Sequence, residues 1–90
     1  MAERRTVYYS GRVQGVGFRY TATSIARGYA IVGYVQNLCD GRVVVVAEGE
    51  GSELDRYLAE LAGVMSRNIR DTVVESGPAT GDFRSFSVHH

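Results

Sequence analysis

Apolar and polar residues alternate near the start of the chain. Val7 and Tyr9, followed by Gly11 and Val13, are set against Tyr8, Ser10 and Arg12, which predicts a first strand from about Arg5 to Val13. Two glycines follow, and then the period changes. Phe18, Ala22, Ile25, Ala26 and Tyr29 share one face at helical spacing, with Gly28 as the expected stop. Ile31 to Leu38 reads as a second strand, and Cys39-Asp40-Gly41 as a hairpin turn on its Asp-Gly signal. Arg42 to Glu48 is a third, valine-rich strand that Gly49-Glu50-Gly51 is expected to break. Ser52 and Asp55 match a capping box, and Leu54, Tyr57, Leu58, Leu61 and Met65 mark a second amphipathic helix. A fourth strand runs from Ile69 to Ser76 and ends at Gly77-Pro78. Phe83, Phe86 and Val88 suggest a short last one.

That order is the split βαβ arrangement of a ferredoxin-like α+β sandwich: βαββαβ, a mixed, largely antiparallel sheet with two helices on one face. The whole of 1–90 reads as a single domain. A right-handed crossover makes the first two strands parallel, with the third antiparallel between them. Their carboxyl ends then share one edge of the sheet. The glycine run leaves from that edge, and Asn37 is the polar residue best placed to arrive there.

Composition narrows the chemistry. Ten basic and ten acidic residues cancel, which disfavours a general nucleic-acid binder or a polybasic membrane anchor. The longest apolar run, Val43 to Ala47, is far too short to span a bilayer, and the polar N-terminus shows no secretory signal, so the cytoplasm is the expected location. Every basic residue is arginine, so neither a Schiff-base lysine nor a P-loop lysine is available. One cysteine, Cys39, excludes an internal disulfide and a multi-cysteine metal site; it reads as a bystander thiol in a turn. His89 and His90, the only histidines, read as a frayed tail. An enzyme of this composition is expected to work without metal, cofactor or histidine base.

The chemistry is concentrated in Gly11-Arg12-Val13-Gln14-Gly15-Val16-Gly17-Phe18-Arg19. Two glycines at a strand-to-helix junction serve equally as a tight turn or as a loop whose N–H groups converge on an anion. The helix start adds partial positive charge and Arg19 a full one, and a bound anion would offset the unfavourable place of a cation there. Arg12 is expected at the surface. Asn37 has the same two readings, a strand-end turn former or a polar group facing the anion.

The run Gly11–Arg19 resembles the signature of the acylphosphatase family, and Gly33-Tyr34-Val35-Gln36-Asn37-Leu38-Cys39-Asp40-Gly41 resembles the family's second motif. Tyr34 stands where tryptophan is commoner, and Val44 replaces a frequent glutamate in the next strand. The resemblance implies hydrolysis of an acyl phosphate to a carboxylate and inorganic phosphate. It assigns phosphate binding and catalysis to Arg19, orientation of the attacking water to Asn37, and the phosphate cradle to the backbone of Gln14, Gly15, Val16, Gly17 and Phe18. It implies a small-molecule acyl phosphate substrate, inorganic phosphate as product and inhibitor, and no cofactor or metal; no nucleic-acid or membrane partner is expected from the charge balance, and a monomer is the simplest expectation. Three competing readings share the fold. They are a non-catalytic small-anion-binding regulatory module, an excised piece of a hydrogenase-maturation carbamoyltransferase, and an RNA-binding module. The last would need an aromatic strand pattern that the valine-rich third strand lacks.

Overall fold

The computed structural model describes residues 2–90. Its elements run β1 (Ala2–Gly11), α1 (Phe18–Ala26), β2 (Ile31–Asn37), β3 (Val43–Glu50), α2 (Gly51–Val64), β4 (Ile69–Pro78) and β5 (Phe86–His89). The strands form one sheet in the order β4-β1-β3-β2-β5. β3 pairs antiparallel with both β1 and β2, so those two run parallel to each other; β5 lies parallel along β2. The split βαβ expectation holds.

The pleat divides the residues of β3 between two faces. Val43, Val45 and Ala47 join Val7, Tyr9, Ile31 and Val35 in the main core, which both helices cover with Phe18, Ala22, Ala26, Leu54, Tyr57, Leu61 and Met65. Tyr57 ties the helices together by donating its hydroxyl to the Ala22 carbonyl at 2.9 Å. On the opposite face Val44, Val46 and Glu48 are also buried. Part of that cover comes from the segment between β4 and β5. There Phe83 packs on Tyr34, and the Arg4 guanidinium lies over the Phe83 ring.

Four local expectations need correction. β1 ends at Gly11 instead of Val13, because its pairing with β4 shifts register between Ser10 and Gly11. β3 does not break at Gly49; it continues to Glu50, and Gly49 is there for room, since a Cβ would come within 2.8 Å of the Ala30 carbonyl oxygen. Ser52 and Asp55 form no capping box. Glu50 is the N-cap residue, no side chain caps the helix, and Ser52 already lies inside the first turn. The C-terminal histidines are not frayed: His89 closes β5 and stacks flat on Tyr34 at 4.2 Å between ring centroids.

Candidate active site

The loop between β1 and α1 is pinned at both ends by core residues. Val13 and Phe18 are buried, Phe18 resting on the Tyr9 ring at 5.0 Å, while Gly15 to Gly17 stay at the surface. Gly15 and Gly17 adopt left-handed backbone, φ 75° and 81°. A Cβ on either would meet nothing within 4 Å. Their requirement is therefore conformational: L side chains rarely tolerate these dihedrals.

Gly17 is also the N-cap of α1, and it offers no side chain to cap the helix. The first turn carries no acidic residue. The leading N–H groups of α1 thus keep their positive end open toward the loop, the arrangement that favours an anion.

Strand register brings the second half of the site to the same edge. Val43, the first residue of β3, lies opposite Tyr9 on one side and Asn37 on the other. Asn37 therefore shares the helix-covered face with Val43. A cavity of about 350 Å³ opens at this edge, lined by Val13, Gly15, Gly17, Arg19, Asn37 and His90, among others. The structure thus brings Gly15, Gly17, Phe18, Arg19 and Asn37 together around one space; Gln14 and Val16, also expected in the cradle, do not line it.

Two features single this cavity out. Asn37 Oδ1 is buried and has no hydrogen-bond partner, the one such side-chain atom among the described residues. A buried polar atom left unpaired costs roughly 1–3 kcal/mol, so the fold tolerates it where a guest can pair it. Arg19, half-buried, has no carboxylate partner among the described residues; its Nη1 lies 3.4 Å from His90 Nδ1. A single long contact to one ring nitrogen leaves most of the fork available for a bidentate anion.

Two residues of this edge escaped the sequence reading. Gln14 was expected to act through its backbone, but its side-chain amide donates to the carbonyls of Leu38 at 2.7 Å and Arg42 at 2.9 Å. The Arg42 carbonyl also receives the Leu38 N–H at 2.8 Å. Gln14 thereby stitches the glycine loop to the β2–β3 turn, beside Asn37. His90 reaches Arg19 because β5 runs parallel along β2 toward this edge, with Gln36 opposite His89. No spacing within the sequence signals either contact.

Other sequence candidates lie apart. Cys39 is exposed in the turn. Asp40 is held by Arg42, whose backbone N–H and side chain both donate to it, keeping its carboxyl below the usual carboxylate range. Among the described residues, no group of three or more His, Cys, Asp and Glu side chains could hold a metal ion, and no helix is long and apolar enough to cross a membrane.

Fold and site together define a ferredoxin-like α/β sandwich with a glycine loop and an uncapped helix start at one sheet edge. Residues 5–88 match the sequence model of the acylphosphatase family, and the chain belongs to that family. The acylphosphatase of Clostridium acetobutylicum is 40% identical over 89 residues, covering 98% of each chain; that of Archaeoglobus fulgidus is 43% identical over 82 residues, covering 91% of this chain and 78% of its own. Among solved structures, the acylphosphatase of Bacillus subtilis superposes with a TM-score of 0.84 at 29% identity over all of both chains. Full-length HypF in its phosphate- and nucleotide-bound form matches at a TM-score of 0.85 and 25% identity, over all of this chain but 12% of its own.

Proposed function

We propose that Arg19 and Asn37 carry the chemistry of this chain, an acyl phosphate hydrolase by family. An acyl phosphate is a mixed anhydride whose leaving group is a stable carboxylate, so it needs neither a strong nucleophile nor an activated leaving group. Positioning and charge stabilisation are enough to accelerate phosphoryl transfer through a loose transition state. The phosphoryl oxygens sit among the N–H groups of the Gly15–Phe18 turn and the start of α1, with the Arg19 fork on their free side. Water held by Asn37 Oδ1 attacks phosphorus in line. The phosphorus–oxygen bond to the acyl group breaks, the carboxylate leaves, and the water proton passes to a phosphoryl oxygen. Holding the water in line supplies the entropic advantage of proximity.

The observation that carries this reading is the unpaired, buried Oδ1 of Asn37, a residue that lines the same cavity as an arginine without a carboxylate partner among the described residues. A regulatory anion-binding module would use the loop and Arg19, but it would gain nothing from leaving Asn37 unpaired.

The test is hydrolysis of benzoyl phosphate. Turnover is expected, with inorganic phosphate as a competitive inhibitor and no loss in EDTA. Asn37→Ala is expected to lower kcat far more than it raises the inhibition constant of phosphate, because its partner is water. Full turnover by Asn37→Ala would remove the assigned role.

A further inference from the structure

Beyond the active site, the ten arginines divide into two groups. Arg4, Arg5, Arg42 and Arg56 are paired with carboxylates. Among those without a carboxylate partner, Arg19 lines the catalytic cavity. Arg12, Arg67 and Arg70 line another, of about 660 Å³, completed by Gly11, Asn68 and Ile69. Among the described residues, no aspartate or glutamate lines this second cavity. In a chain of zero net charge, three like charges around one hollow are not a composition effect.

The backbone holds the three arginines together. At the β1 bulge the Arg12 N–H donates to the Asn68 carbonyl at 2.9 Å. A Cβ on Gly11 would stand 2.5 Å from that same carbonyl oxygen and 2.7 Å from the Arg70 nitrogen, so only glycine lets the end of β1 run this close to residues 68–70. Nor is Arg67 needed at three carbonyls near the end of α2. The Leu61, Gly63 and Met65 carbonyls already receive the N–H groups of Met65, Ser66, Asn68 and Ile69.

We propose that this cavity is a second anion site, separate from the catalytic cradle, that takes a compact inorganic polyphosphate. Three guanidinium forks match an anion carrying three or more charges better than they match orthophosphate. The absence of any aromatic lining gives a nucleotide base nothing to stack on.

The experiment titrates tripolyphosphate into the Arg19→Ala chain at low ionic strength by calorimetry, so that the cradle is disabled. One equivalent is expected to bind. Adding Arg67→Ala and Arg70→Ala should weaken that binding at least about tenfold, whereas adding Arg27→Ala, an exposed arginine elsewhere, should leave it within twofold. Absence of saturable binding, indifference to the Arg67 and Arg70 changes, or equal weakening by Arg27→Ala would each overturn the site. On an otherwise unchanged chain, Arg67→Ala with Arg70→Ala should keep benzoyl phosphate turnover, so failure here is distinct from failure of the catalytic assignment.

Discussion

Two polar side chains near opposite ends of β3, one on the strand and one on its neighbour β2, meet opposite conditions. At the end of β3, Glu48 lies opposite Arg4 of β1 and is 3% exposed. Its carboxylate accepts from Arg4 Nε at 2.9 Å, from the Thr80 N–H and hydroxyl at 2.9 Å each, and from the Gly81 N–H at 3.0 Å. At its start, Asn37 lies opposite Val43 with a buried oxygen that nothing in the fold pairs, near an arginine that no carboxylate neutralises. Burial of a polar group thus has two outcomes in one small sheet. Where the chain supplies every partner, the group builds structure and closes a loop over the sheet. Where the chain supplies none, the group is left open to a guest, and this is the role proposed for Asn37.

The contrast is tested most severely at Arg19. Arg19→Ala should lower turnover on benzoyl phosphate by at least ~10²–10³, the range for loss of one preorganised charge-stabilising donor, while leaving the melting temperature nearly unchanged. Arg19→Lys should recover little, since an ammonium lacks the planar fork. If Arg19→Ala instead melted much earlier at full activity, the guanidinium would belong with the structural group.

Glu48 should behave in the reverse sense. Glu48→Ala leaves two backbone N–H groups and Arg4 without their acceptor, and is expected to cost ~2–3 kcal/mol of stability in a urea melt with little effect on kcat. Burial pushes the Glu48 carboxyl upward, but the N–H groups of Thr80 and Gly81, the Arg4 side chain and the Thr80 hydroxyl outweigh it and hold the pKa at about 2. A folded-state value below the unfolded one contributes stability that is complete above about pH 4.5 and lost as pH falls toward 2. Glu48→Ala should therefore flatten the acid limb of the stability profile. An unchanged limb would move the acid sensitivity elsewhere.

The two ends also differ in how far they could be read in the sequence. Arg19 and Asn37 were legible because the glycine loop and the strand-end motif mark them locally, and strand order alone brings their edges together. Glu48 was not, because its backbone donors lie 32 and 33 residues away in a segment without regular pattern, and Arg4 reaches it only through the pairing of β1 with β3. The same limit hid the side chain of Gln14, whose acceptors are 24 and 28 residues distant, and His90, which depends on the pairing of β5. Element order followed from apolar periodicity, yet element ends did not. Gly49 looked like a strand break because the crowding that demands a glycine comes from Ala30 on a neighbouring segment. Ser52 looked like a cap because its motif does not reveal that the helix begins directly from the end of β3.

The smallest expected effect is the most specific to the edge as a unit. Gln14 holds the glycine loop to the turn after Asn37 through two hydrogen bonds from one amide. Each such bond is worth about 0.5–1.5 kcal/mol, so Gln14→Ala should lower kcat by roughly tenfold if the loop drifts from Asn37. A loss of cradle shape alone would raise the inhibition constant of phosphate by the same factor. A loss of register between phosphate and water would lower kcat with phosphate affinity largely kept. The double variant decides between them: with Asn37→Ala already present, Gln14→Ala should have little further effect on kcat. Additive losses would mean that Gln14 acts on the phosphate half of the edge independently of the water half.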